Sequence, residues 1–432
     1  MRRVSRPLRA AVSVAVATIP VLCSALPGAA ATMAGVPSAD DPGPVSLPVI
    51  SSTLAPGRSC TDTSPTQAHA QPWTVRALGL SRARQLTRGA GVTVAVVDTG
   101  VGTSAPALAG RVTATAGSGL DCVGHGSFAA GLIAAAVDDT GGGGVAPEAR
   151  ILAVRATDAR GTATPGKVAN GIRTAVDRGA GVVYVGAALT TGRDELTAAV
   201  AYATQKNVLV VAPAAPDVAP AASTATPPTS GTVPPAAAGN APSAPSAAGG
   251  TTLDPTARPY FPAFIPQVVS VEDFGADGSR PKDAPDIFAA DLAAPGDAVV
   301  SIGPKGTGNF IGSGSSLAAA NVAGTAALVL AYHPHLTPAQ IQRDLVVSAY
   351  PAAIPVLDPY AAVAAVPSTE AGGAQGPAEP VRMTGHATSG PRTRALAIAA
   401  VGGGIVALVA GAAVVIPLGR ARRWRPAGGK TD

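Results

Sequence analysis

The sequence predicts an α/β fold, a mostly parallel sheet covered by helices, with one further apolar helix near the C-terminal end. Three observations predict it. Apolar runs of strand length alternate with helical stretches between residues 91 and 212, as in a parallel sheet whose strands are buried on both faces. An acid, an imidazole and a hydroxyl fall at the ends of such elements, where an α/β sheet collects its chemistry. Ala395 to Leu418 runs without a charge, and about 20 apolar residues suffice to cross a bilayer.

In chain order, Trp73 to Thr87 reads as an amphipathic entry helix and Gly91 to Asp98 as the first core strand. Gly124-His125-Gly126-Ser127 leads into an apolar helix, Phe128 to Ala136. Glu148–Ala156 is a strand, Lys167–Arg178 a helix, Gly181–Val185 a strand, Arg193–Gln205 a helix and Asn207–Ala212 a strand. Residues 213–258 break the alternation with Pro, Ala, Ser, Thr and Gly; such a stretch cannot bury a core and is expected to be a surface insertion loop. Strand-like runs return at Val268–Val271, Asp291–Gly296 and Val299–Ile302, ahead of a small-residue helix from Leu317 to Tyr332.

The two ends are read as processing and anchoring segments. Arg2, Arg3, Arg6 and Arg9, then apolar Ala10–Leu26, then Ala29-Ala30-Ala31 make residues 1–31 a signal peptide. Residues 32–72, rich in Pro, Ser and Thr, form an extended arm, residues 73–366 a single core domain, and 367–393 a Gly/Pro/Thr-rich linker. Residues 395–418 are the expected transmembrane helix and 419–432 a cytoplasmic tail, because Arg420, Arg422, Arg423 and Arg425 hold that end inside. The chain is then single-pass in the cell membrane, with the domain outside the cytoplasm. Much of the net charge of +5 lies at these ends, and aromatic residues make up only 3%, so no nucleic-acid partner is expected. Outside the signal segment, Cys60 and Cys122 remain. They are either two free thiols or, as an exported context favours, a bridge worth roughly 4 kcal/mol in the chain-entropy view.

Val94-Ala95-Val96-Val97-Asp98 delivers Asp98 at the carboxyl end of a buried strand. His125 lies between two glycines, and Ser316 in Gly314-Ser315-Ser316-Leu317-Ala318 starts a helix. A serine hydroxyl becomes a nucleophile when a base takes its proton, and that base needs a carboxylate to hold its tautomer. Singly, Asp98 could close a turn and Ser316 could cap a helix. Together, in the order Asp, His, Ser, they have the arrangement of subtilisin.

Asp291-Leu-Ala-Ala-Pro-Gly296, Pro72-Trp73, Leu86 through Val101 and Asp121-Cys122-Val-Gly-His125-Gly126 carry a closer resemblance. With the arm and the C-terminal anchor, the chain resembles the mycosins, membrane-anchored subtilisin-like serine proteases (peptidase S8) associated with type VII secretion in actinobacteria. The resemblance implies a subtilisin-like three-layer fold and endopeptidase action on exported peptides or proteins. It also implies Asp98, His125 and Ser316 as the catalytic triad, and association with the membrane components of a secretion complex. Several positions depart from the family pattern: Ser315 and Ser127 replace threonine, and Ala320 replaces proline. The substrate-binding strand, usually Ser-Leu-Gly, reads Gly186-Ala187-Ala188. The family's oxyanion asparagine would fall at Pro216, so Asn240 of Ala238-Gly239-Asn240 is the candidate if residues 213–237 loop out; otherwise Asn240 is a solvated loop residue.

The expected function is therefore a secretion-associated serine endopeptidase whose oxyanion hole is degenerate. The alternative is a weak or inactive pseudoprotease serving as a structural subunit of the complex. No cofactor and no metal are expected: His333 and His335 flank Pro334 as turn residues, and no acidic loop has calcium-ligand spacing.

Overall fold

A computed structural model describes residues 46–217, 257–365 and 391–421, with side chains in the last segment from 399 onward. The chain divides into two compact units, residues 1–367 and 368–432.

In the first unit, helices α1 (Trp73–Ala77) and α2 (Leu80–Leu86) precede strand β1 (Thr93–Asp98). Then come β2 (Val112–Ala114), α3 (His125–Ala134), β3 (Arg150–Arg155), α4 (Pro165–Asp177), β4 (Val182–Val185), α5 (Arg193–Gln205) and β5 (Leu209–Pro213). After the insertion follow β6 (Val268–Phe274), β7 (Leu292–Pro295), β8 (Val299–Ile302), β9 (Asn309–Gly312), α6 (Ser315–Tyr332), α7 (Pro338–Val347) and α8 (Pro359–Ala364). Strands β1 to β7 form a seven-stranded sheet in the order β2-β3-β1-β4-β5-β6-β7, every pairing parallel. From β1 the chain moves to one side of the sheet and from β4 to the other. The carboxyl ends of these paired neighbours therefore flank a topological switch point, where α/β sheets bind ligands.

Strand alternation separates two cores. Val94 and Val96 of β1, with Ile151, Ala153, Val182 and Tyr184, face α3 and α6. Ala95 and Val97, with Leu152, Val154, Val183 and Val185, face α4 and α5. Because both faces are covered, the strands read as unbroken apolar runs. Helix α6 is buried from Ser315 through Val329, so its apolarity on all sides belongs to a central core helix.

Several details differ from the sequence reading. The entry helix is two helices, because Gly79 adopts a left-handed conformation (φ 56°) between them. α3 begins at His125 itself, with Gly124 as its N-cap. β8 leaves the parallel sheet to pair antiparallel with β9, and β2, β9, α7 and α8 had no sequence forecast. α7 is started by a capping box, Thr337 with Gln340.

The described part of the arm runs extended against the domain. Leu47 and Ile50 are buried, the Ile50 amide donates to the Ile311 carbonyl (2.9 Å), and the Ile311 amide donates to the Pro48 carbonyl (3.0 Å). Cys60 is disulfide-bonded to Cys122, tying the arm to the segment that leads into α3.

In the second unit, α9 spans Pro391–Ala421. Its Ala399–Ala421 segment is long and apolar enough to cross a membrane. The expected signal peptide, most of the insertion and linker, and the tail beyond residue 421 lie outside the described residues.

Candidate active site

β1 ends at Asp98, at the switch point. Its carboxylate is held by the chain: Oδ1 accepts from the Thr99 amide (2.6 Å) and Oδ2 from the Tyr184 hydroxyl (3.3 Å). Gly186, just past β4, leaves room for it, since a Cβ there would lie 2.0 Å from Asp98 Oδ2. α3 approaches β1 closely because Gly126 has no side chain; a Cβ there would meet the Gly100 carbonyl at 2.1 Å. This approach sets His125 Nδ1 2.8 Å from Asp98 Oδ2.

A second carboxylate fixes the start of α3. Asp121 Oδ1 accepts from the Gly124 amide (2.7 Å) and the Thr99 hydroxyl (2.8 Å). Its Oδ2 accepts from the Ser127 amide (2.8 Å) and hydroxyl (2.7 Å). Burial pushes the Asp121 carboxyl above its usual range, and these donors pull against that. Backbone amides at a helix N-terminus suit a negative charge, so Asp121 acts as the helix's anionic cap. Asp121 belongs to the Asp121–Gly126 motif that carries the family resemblance, but nothing in its spacing signals this role.

Ser316 is positioned from the other side. The Gly314 amide donates to the Gly296 carbonyl (2.9 Å), the Ser315 hydroxyl donates to Asp273 (2.5 Å), and Asn321 Nδ2 donates to the Pro295 carbonyl (2.9 Å). These bonds dock the first turns of α6 on β6 and β7, with Ser316 Oγ 3.0 Å from His125 Nε2. Ser316 is fully buried and His125 is 3% exposed. Asp98, His125 and Ser316, distant in sequence, thus form one hydrogen-bonded chain.

Asp217, four residues past β5, adds a second acid that sequence reading missed. Its Oδ1 accepts the Ser316 amide (3.0 Å), and its Oδ2 accepts the Ser316 hydroxyl (2.5 Å) and lies 3.2 Å from His125 Nε2. The signal was present: Asp217 directly follows Pro216, where the resemblance puts an amide donor, and a carboxylate is not expected there. Asn240 lies outside the described residues. Burial alone would lower the His125 imidazole, but the charges of Asp98 and Asp217 and their hydrogen bonds outweigh it and hold its pKa well above 6.5. Burial and the same two acids raise the Tyr184 hydroxyl, so it remains a neutral donor.

Beside this chain of groups is a cavity of about 290 Å³, lined by Asp98, His125, Asp217, Gly186, Ala187 and Ala188, and by Ser52 and Thr53 of the arm. Gly186 to Ala188 are half-buried along it. Among the described residues, no group of His, Cys, Asp and Glu could hold a metal ion.

Comparison with known proteins gives the family. The profile of the subtilase family (peptidase S8) matches residues 89–386. Mycosin-4 of Mycobacterium tuberculosis (strain ATCC 25618 / H37Rv) is 31% identical, over 80% of this chain and 81% of its own. Thermitase of Thermoactinomyces vulgaris is 34% identical, over 57% of this chain and 78% of its own. Among solved structures, the MycP3 protease of the type VII (ESX-3) secretion system is 28% identical with a TM-score of 0.55, covering 74% of this chain and 99% of that one. A chain in the periplasmic assembly of the ESX-5 inner membrane complex is 26% identical with a TM-score of 0.56, covering 78% and 98%. The chain belongs to the subtilase family, and within it to the mycosins.

Proposed function

We propose that this chain is a serine endopeptidase, anchored in the membrane by α9 with its site outside the cytoplasm, acting at a type VII secretion complex. The observation that carries the reading is His125 bonded on one side to Asp98 (2.8 Å) and on the other to Ser316 (3.0 Å). In the reaction, Ser316 Oγ attacks the scissile carbonyl while His125 Nε2 takes its proton. Asp98 holds the imidazole by Nδ1 and stabilises its charged form. The Ser316 amide is one donor to the oxyanion. His125 then protonates the leaving amine, and water releases the acyl group by the same steps in reverse. The half-buried backbone of Gly186–Ala188 suits pairing with an extended peptide in the cavity.

The likeness to the type VII proteases and to the ESX-5 assembly supports the partner, and the apolar stretch Ala399–Ala421 supports the anchor. A fluorophosphonate probe should label the exported chain in membranes, and Ser316→Ala should abolish labelling. Absence of labelling from the folded protein at every pH overturns the reading.

A second reading, a structural subunit with little or no turnover, is favoured by one observation: Asp217 holds the amide that an oxyanion needs. It predicts that Ser316→Ala leaves secretion intact while deletion of the chain abolishes it. Equal loss in the two strains removes it.

A further inference from the structure

Resting on the peptidase reading, we infer that Asp217 is the oxyanion residue of this chain and serves only as the neutral acid. As a carboxylate it occupies the oxyanion's place and holds the site at rest; as a carboxylic acid it donates its O–H to the developing oxyanion.

The placement is built from three elements. Asp217 accepts from both the amide and the hydroxyl of Ser316, at the start of α6, and faces His125 Nε2, at the start of α3. Its carboxylate lies over Gly314, where an added Cβ would be 2.1 Å from Oδ1. A glycine at this position leaves the space beside the nucleophile's amide that a substrate carbonyl oxygen would enter, and Asp217 fills it. The acid is 5% exposed, and the groups it bonds, the nucleophile and the base, are those the reaction needs. The other ionisable groups that bear on it are Asp98 through His125, Tyr184 from β4, and Asp273 from β6. Arg280, which pairs with the neighbouring Glu272 (3.3 Å), acts on Asp273 from further out.

A carboxylate accepts hydrogen bonds and cannot donate one, so in that form it repels an oxyanion. Beside it, the two carboxylates on either side of His125 favour its charged form, and an imidazolium cannot act as a base. One proton relieves both: transfer from His125 Nε2 to Asp217 Oδ2 gives a neutral imidazole and a neutral acid with no change in total charge. Ser316 Oγ then adds to the carbonyl carbon as its proton passes to Nε2. The neutral Asp217 gives up the Ser316 amide and turns aside from the space over Gly314; the carbonyl π pair moves to the oxygen that takes this place, which accepts from the Ser316 amide and the Asp217 O–H. Collapse breaks the C–N bond, and the His125 proton leaves with the amine. The competent state holds one proton on the His125–Asp217 pair. Loss of that proton closes the site on the alkaline side, and a second proton removes the base on the acid side. The rate should therefore be bell-shaped with pH, with limits that belong to the pair.

The test is the pH profile of fluorophosphonate labelling for the full-length chain in membranes, compared with Asp217→Asn, Asp217→Ala and Ser316→Ala. Asparagine keeps the shape and donates at every pH. Asp217→Asn should lose the alkaline limb and label about 10²-fold faster than wild type there, the scale of one oxyanion donor. At the wild-type optimum, Asp217→Ala should be slower than wild type, because it clears the space and supplies no donor. A labelled wild type with no alkaline fall, or an Asp217→Asn no faster than it, overturns this inference and leaves the peptidase reading standing. No labelling of wild type or Asp217→Asn at any pH overturns both.

Discussion

The two halves of the site are satisfied in opposite ways. On the β1 side, Asp98 and Asp121 spend most of their lone pairs on groups with no part in the reaction: the Thr99, Gly124 and Ser127 amides and the Thr99, Ser127 and Tyr184 hydroxyls. On the α6 side, Asp217 bonds the hydroxyl and the amide of Ser316, the proposed nucleophile, and His125, the proposed base. A buried carboxylate must be satisfied somewhere. Where scaffold atoms do it, the result is a fixed orientation. Where reacting atoms do it, the result is a site whose protonation decides whether it can work. One half positions and the other switches.

The sharpest way to break this contrast is Asp98→Asn. The amide keeps the shape, but its NH2 or its oxygen must now meet His125 Nδ1, and either the tautomer or the orientation is lost. We expect the labelling rate to fall by about 10⁴ on both limbs, with the bell kept and its limits moved to lower pH, because Asp98 is one of the two charges that raise His125. A loss confined to one pH limb would mean that Asp98 switches too, and the contrast fails. Next in size is the disulfide. Cys60 and Cys122 lie 62 residues apart, and Cys60→Ser with Cys122→Ser should cost up to about 4 kcal/mol in denaturant melts. Asp121→Ala should cost about 3 kcal/mol, since it strips an acceptor from four donors at the buried start of α3. An Asp121→Ala variant melting like its parent would make that acid dispensable as scaffold.

The positioning half was the legible half. Asp98 ends an apolar run and His125 stands between glycines, so periodicity and spacing found both, together with the parallel sheet that carries them. The break at Gly79 and the hairpin of β8 with β9 were not found. The first depends on the conformation of one residue, and the second on a pairing partner, Asn309–Gly312, too short to signal alone. Asp217 was missed for a different reason. It sits where a stretch of Pro and Ala begins, in no periodic pattern, and only the fold carries it to Ser316. Asp121 shows the same limit: a helix cap four residues before the helix is recognised once its donors are seen.

The smallest effect tests the switching half without turnover, in Ser316→Ala protein, where no reaction can interfere. Folding raises the His125 pKa well above the unfolded value of about 6.5. The folded state therefore binds that proton more tightly than the unfolded chain does. The resulting stabilisation is complete below pH 6.5 and is lost as pH rises through the folded-state value. Asp217→Asn removes one of the two carboxylates that sustain the shift, so the loss should become smaller and finish at lower pH. Melting temperatures of the two proteins, taken from pH 5.5 upward, should thus converge on the alkaline side, with the Asp217-containing protein ahead in acid by an amount that shrinks as pH rises. Parallel curves would mean that Asp217 and His125 do not share a proton in the folded state. The α6 side of the site would then be wired as rigidly as the β1 side.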